Sequence, residues 1–214
     1  MMRTKMNKGY RGRRFFIAPL AIGVFVCVVV ALGVTATEQA PILVRVLMET
    51  ELGEIEIELN TLNAPVTTAN FLRYLDAGYY TGGRFHRSAR LDNQVRDDVL
   101  IEVIQAGTNP EFGRQGFPPI ALERTRDTGL KHLDGTLSMA RGGSDTARAS
   151  FFICIGDQPS LDFGGARNAD GQGFAAFGRV VRGMEVVRQI HQSPTLEREN
   201  LAPPIAISQM RRIQ

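Results

Sequence analysis

The residues able to do chemistry in this sequence are few and scattered. His86, His132 and His191 stand far apart, and the two cysteines, Cys27 and Cys154, share no C-x-x-C or metal-ligand spacing. The pattern calls for no metal and no cofactor. Cys154 lies in the apolar stretch Phe151-Phe152-Ile153-Cys154-Ile155, where a thiol acts as a small buried hydrophobe rather than a nucleophile. His86 has no serine to activate, because no G-x-S-x-G elbow occurs. Asp162-Phe163-Gly164 lacks the glycine-rich loop and H-R-D of a kinase, and Asn168-Ala169-Asp170-Gly171 lacks the helices and closing glutamate of a calcium loop. Both read as turns. Phe85-His86-Arg87 remains, and it offers a cation that is charged at every physiological pH. Such a group stabilises charge or donates hydrogen bonds without any tuning of its protonation.

The elements that must position it follow from hydrophobic periodicity. Val44-Arg45-Val46-Leu47-Met48-Glu49 and Glu54-Ile55-Glu56-Ile57-Glu58-Leu59 alternate apolar and polar around Leu52-Gly53, which predicts a hairpin with one buried face. Pro65 followed by Val66, Ala69, Phe71, Leu72 and Leu75 predicts an amphipathic helix ending at Gly78. Further strands are expected at 84–87, 100–106, 136–140, 150–155, 175–181 and 205–213, and a second helix at 184–191 after Gly183. The fold class is therefore mainly β: a closed eight-stranded antiparallel barrel capped by two α-helices. Two long loops, 88–98 and 108–134, stand out as functional or mobile.

Ahead of this domain lies a segment of another kind. The 214 residues carry 25 Lys and Arg against 22 Asp and Glu, a net of +3. Six of the basic residues (Arg3, Lys5, Lys8, Arg11, Arg13 and Arg14) precede residue 15, and the remainder has a net of −3. The positive excess is thus local, and no nucleic-acid partner is expected. An uncharged apolar run at 15–34 and the small-residue site Val34-Thr35-Ala36 complete a signal-peptide pattern. The run is also long enough to span a bilayer as an uncleaved anchor. Residues 1–36 are read as signal peptide or membrane anchor, 37–42 as linker and 43–214 as the folded domain. Either way the domain is expected outside the cytoplasm, periplasmic or secreted, or anchored to the inner membrane.

Order and spacing give the Arg87 segment its meaning. Phe85-His86-Arg87 is followed by Ile104-Gln105-Ala106-Gly107, Gly135-Thr136-Leu137-Ser138-Met139-Ala140 and Ser150-Phe151-Phe152-Ile153. Leu161-Asp162, Phe174-Ala175-Ala176-Phe177-Gly178-Arg179-Val180 and Gly183-Met184-Glu185-Val186-Val187 come next. This series resembles the cyclophilin family of peptidyl-prolyl cis-trans isomerases through most of residues 43–213. The resemblance implies a groove on the outer face of the barrel that binds an X-Pro segment. It assigns Arg87 as the essential arginine and Gln105 as the glutamine beside it. Phe152, Leu161 and Phe174 match walls of the proline pocket, with Val103 where the family commonly has methionine. Ala140 and Arg141 match the stretch that pairs with the substrate backbone, Arg141 through its main chain.

Three departures from the family pattern bear on the groove. The connection from Arg87 to Gln105 is about ten residues longer than usual, which costs little because closure entropy grows slowly with length. Segment 88–98 is expected either to shape access to the groove or to be a solvated insertion. Counting back from Gln105, Glu102 falls where the family has a pocket phenylalanine. Ala149-Ser150 replaces a polar pair, and Ser160 stands where an aromatic often precedes Leu161-Asp162. The function expected is folding assistance to exported, proline-containing polypeptides by a monomer. The alternative is a non-catalytic proline-binding or assembly module of the cell envelope.

Overall fold

The computed structural model describes residues 43–213. The signal or anchor segment and the linker lie outside the described residues. Strands β1 (Val44–Thr50) and β2 (Gly53–Leu59) form the expected hairpin, with Val46 opposite Ile57 and Met48 opposite Ile55, all four buried. Helix α1 (Pro65–Asp76) begins with proline, whose missing N–H is no loss at a helix start. Ala64 provides no side-chain cap. Instead the Glu123 carboxylate accepts from the Val66 and Thr67 N–H groups at 3.0 and 2.7 Å, placing an anion on the positive end of the helix.

The remaining elements are β3 (Arg84–Ala89), β4 (Val103–Gly107), α2 (Thr125–Thr128), β5 (Thr136–Met139), β6 (Phe151–Cys154), β7 (Ala175–Arg182), α3 (Met184–Gln192), β8 (Thr195–Leu196) and β9 (Asn200–Ile213). The sheet runs β1-β2-β7-β5-β6-β4-β3-β9, and pairing of β1 with β9 closes it. Every neighbouring pair is antiparallel, and β8 is a two-residue strand that pairs only with β9. The barrel is therefore eight-stranded, as expected. Helix α1 packs against β7 and β9, and α3 against β2, β3 and β4.

Most boundaries shift by only one or two residues, and three differences go further. A third helix, the single turn α2, sits inside the 108–134 loop. Strand β4 starts at Val103 rather than 100, because the N–H groups of Ile101 and Glu102 are taken by the side chains of Gln94 and Gln158. The last strand starts earlier, at Asn200.

The interior is built on aromatic packing. The Phe71 ring lies 4.9 Å from Tyr80, 5.4 Å from Phe151 and 5.2 Å from Phe177, within the range where such pairs attract. A second, smaller apolar cluster joins Ala89, Ile101, Val103, Phe152, Cys154 and Leu161, with Ala140 and Phe174 against it. Strand side chains alternate faces, so Phe151 and Ile153 join the barrel interior while Phe152 and Cys154 join this outer cluster. That is why β6 is apolar without interruption: both of its faces are covered.

Candidate active site

A single backbone irregularity creates the site. In the β3–β4 ladder Phe85 pairs with Ala106, but the next partner of Gln105 is Arg87, so His86 is an extra residue. In a regular strand Arg87 would share the face of Phe85, which is wholly buried inside the barrel. The bulge turns it to the outer face and sets it directly opposite Gln105. Register then carries the row across the sheet, from Gln105 to Phe152 and from Phe152 to Ser138.

All eight residues expected from the sequence, Arg87, Val103, Gln105, Ala140, Arg141, Phe152, Leu161 and Phe174, line one cavity of about 200 Å³. Ile101 and Arg167 line it too. Glu102 does not, which corrects the expectation of a charged pocket wall. Residues 101, 103 and 105 share one face by the period of two, so Ile101 supplies the apolar wall and Glu102 is turned away. A longer depression of about 620 Å³ continues from Gln105, Ala140 and Arg141 past Ser150 to Tyr74.

The Arg87 guanidinium is held from two sides. Its Nε donates to Glu199 Oε2 at 2.7 Å and its Nη1 to Gln105 Oε1 at 2.9 Å. A guanidinium has five donors, so three stay available. Glu199 was not legible in the sequence, since it lies 112 positions from Arg87 and reaches it because Asn200 pairs with Arg87 across β3 and β9. Arg141 has a buried side chain that binds Asp170 through both Nη atoms at 2.7 and 2.9 Å and the Gly173 carbonyl through Nε at 2.7 Å. Among the described residues its own N–H and C=O have no hydrogen-bond partner, which leaves them open to an extended ligand. The Asp170 carboxylate is thus taken by arginine, and Gly171 N–H bonds the Asn168 carbonyl in a turn. Gly173 must be glycine: its φ is +67° and a Cβ there would meet the Asp162 carbonyl carbon at 2.6 Å. This close return sets Phe174 edge-on to Phe152, with ring centroids 5.4 Å apart.

His132 is buried beneath the pocket, with Nδ1 2.8 Å from Asp162 Oδ1, Nε2 2.9 Å from Ser138 Oγ and its ring stacked on Phe152. Burial works to raise the Asp162 carboxyl, but hydrogen bonds from His132 outweigh it and hold the group below its ordinary value of 3.8. A depressed folded-state pKa contributes stability above the unfolded value and loses it as pH falls. Urea unfolding should therefore show stability dropping below about pH 4, and Asp162→Asn should flatten that drop while lowering stability at neutral pH. An unaltered acid limb in the variant would rule this role out. His86 does not line the cavity; burial lowers its pKa and its ring lies beside Gly107. Burial likewise pushes the Cys154 thiol well above its usual range, so it is no nucleophile.

Ser88 and Ala89 end β3, and the rest of segment 88–98 is a strap tied to the body of the domain, with Leu91, Asp92, Val95, Asp97 and Asp98 exposed to solvent. Arg90 Nη1 donates to the carbonyls of His191 and Ser193, each at 3.1 Å. Asn93 donates to the carbonyls of Ser88 and Arg198, and Arg96 to those of Ala166 and Arg167. The strap so joins the end of α3, the β8–β9 hairpin and the loop before Phe174.

The groove thus lies on the outer wall of a closed barrel, where Arg87, Arg141 and Arg167 meet the apolar side chains of Ile101, Val103, Phe152, Leu161 and Phe174. The chain belongs to the family described as cyclophilin type peptidyl-prolyl cis-trans isomerase/CLD, which it matches over residues 45–212. It is 38% identical over 160 residues to peptidyl-prolyl cis-trans isomerase A of Dickeya dadantii (strain 3937), covering 74% of this chain and 75% of that protein. With a peptidyl-prolyl cis-trans isomerase of Acinetobacter baylyi it shares 36% identity over 149 residues, 69% of this chain and 72% of the other. Among solved structures, a Cryptosporidium parvum cyclophilin crystallised in the presence of the dipeptide Ala-Pro superposes with a TM-score of 0.63 at 23% identity, covering 78% of this chain and 96% of that one. That match bears on the fold.

Proposed function

We propose that this chain catalyses cis-trans isomerisation of X-Pro bonds in exported polypeptides, with Arg87 stabilising the twisted amide. Rotation about the bond faces a barrier of roughly 18–20 kcal/mol because twisting destroys amide resonance. The twisted prolyl nitrogen regains its lone pair and becomes an acceptor that the planar ground state lacks. A guanidinium aimed at it therefore binds the transition state better than the substrate. The observation that carries this reading is the clamp of Glu199 and Gln105 on Arg87 at the wall of a cavity of about 200 Å³ that Ile101, Val103, Phe152, Leu161 and Phe174 also line. The clamp removes the reorganisation that a mobile arginine would need. Ile101, Val103, Phe152, Leu161 and Phe174 would hold the ring, and the free main chain of Arg141 would pair with the substrate.

Exchange NMR on an Ala-Pro peptide tests it. Catalysed cis-trans exchange is expected, whereas binding without exchange would favour the non-catalytic envelope module.

Export is the second part of the proposal, supported by the basic start, the apolar run at 15–34 and Val34-Thr35-Ala36. No helix among the described residues is long and apolar enough to cross a membrane, so anchoring would fall to residues 1–36. Intact mass of the protein from its natural host should place the mature N-terminus at Thr37. A mass retaining residues 1–36 in the membrane fraction would establish the anchor instead, and a full-length cytoplasmic protein would overturn export.

A further inference from the structure

Three arginines line the cavity and a fourth, Arg96, binds the loop that carries Arg167; three of the four are matched by a carboxylate. Arg87 has Glu199, Arg96 has Asp98 and Arg141 has Asp170. Arg167 makes no ion pair among the described residues, and no aspartate or glutamate lines the cavity it borders. Its position is fixed: the backbone N–H bonds the Ser160 carbonyl at 3.1 Å and Nη1 bonds the Val99 carbonyl at 2.5 Å. Arg96 of the strap binds the carbonyls of Ala166 and Arg167 from the other side. Ser160, whose carbonyl accepts from the Arg167 N–H, is small where the family often has an aromatic, and Arg167 is among the residues that line the cavity.

We infer that Arg167 makes this groove selective for segments carrying a carboxylate within one residue of the proline. The inference rests on the groove being the X-Pro site. Burial first, then the neighbouring Arg87 and Arg96, disfavour the charge on Arg167; Glu199 and Asp98 offset them only in part, so its pKa is lowered, yet a guanidinium keeps its proton. An excess positive charge in a partly desolvated site is relieved by an anion brought in with the ligand, and a charge-assisted hydrogen bond there is stronger than a neutral one. Among the described residues the guanidinium makes a single bond, to Val99, which leaves most of its donors free. Successive residues advance roughly 3.3–3.6 Å, so a ring seated in this cavity keeps its neighbour's side chain within an arginine's reach. The carboxylate could come from an acidic residue before the proline, one after it, or the chain terminus of a C-terminal proline.

Three peptide sets separate these sources. In one, the residue before proline is Glu, Gln or Lys; in the second, the residue after it is varied likewise; in the third, a C-terminal proline is the free acid or the amide. Exchange NMR reads both Kd and isomerisation rate for each peptide. The carboxylate member of at least one set should bind about fivefold to tenfold better than its neutral isostere at low salt, the size expected of one charge-assisted contact. The gap should narrow with added salt. Arg167→Gln should bring that ratio within about twofold, and Arg167→Lys should keep part of it. Equal binding in all three sets, or a preference that survives in Arg167→Gln, would overturn the inference. Isomerisation of the neutral peptides without charge preference would sink this point and leave the isomerase reading intact. A carboxylate preference in Kd without catalysed exchange would do the reverse.

Discussion

Replacing Arg87 with alanine should slow catalysed X-Pro exchange by about a hundredfold, the cost of removing one preorganised donor to a developing acceptor. The fold should survive, because Arg87 projects from the outer face of β3 and adds nothing to the barrel interior. Glu199 loses its partner in the variant, but both side chains are partly exposed, so the expected stability loss is about 1 kcal/mol. Arg87→Lys should recover little. A lysine ammonium is a point charge without the planar fork that lets Arg87 bind Glu199, bind Gln105 and still present donors to a ligand. Exchange rates and urea midpoints for both variants check this, and a folded Arg87→Ala protein with the parental rate would refute the mechanism.

Phe152→Ala should produce the largest combined effect. The ring is 4% exposed, sits edge-on to Phe174 and stacks on His132. Its removal opens a void in the outer cluster, and losses of about 3–5 kcal/mol accompany Phe-to-Ala changes at such sites. For a domain of this size that lowers the melting temperature by about 10 °C or more. The floor of the proposed proline pocket goes with it, so peptide affinity should fall at least about tenfold, the worth of one lost apolar contact surface. Phe151→Ala is the matching control. Phe151 is buried equally well on the opposite face of β6, so its loss should destabilise the barrel while each folded molecule keeps its affinity. Melting curves and peptide titrations on both variants decide the matter. Equal loss of affinity per folded molecule would mean that β6 does not separate core from pocket in this way.

The pattern behind these predictions was largely present in the chain. Alternation in 44–49 and 54–59, the proline-led helix and the unbroken apolar run of β6 each report a local requirement: a strand or helix must present one or two apolar faces to be buried. Such requirements are written within a few residues, so periodicity recovers them. The third helix and the true start of β4 were not recovered, because side chains far along the chain (Gln158 for Glu102) decide where the ladder begins.

The site divides along the same line. Sequence by itself determined the barrel, through the order and spacing of its motifs, and eight residues that meet in one cavity, because each sits at a fixed offset within a motif. Only the tertiary structure decided how they act. The bulge at His86 turns Arg87 outward. Glu199 clamps it from 112 positions away, Ile101 rather than Glu102 forms the wall, and Arg167 arrives without a carboxylate of its own. These are contacts between segments remote in sequence. Their energies depend on distances of a few ångströms that closure of the barrel alone establishes, and no local pattern encodes them.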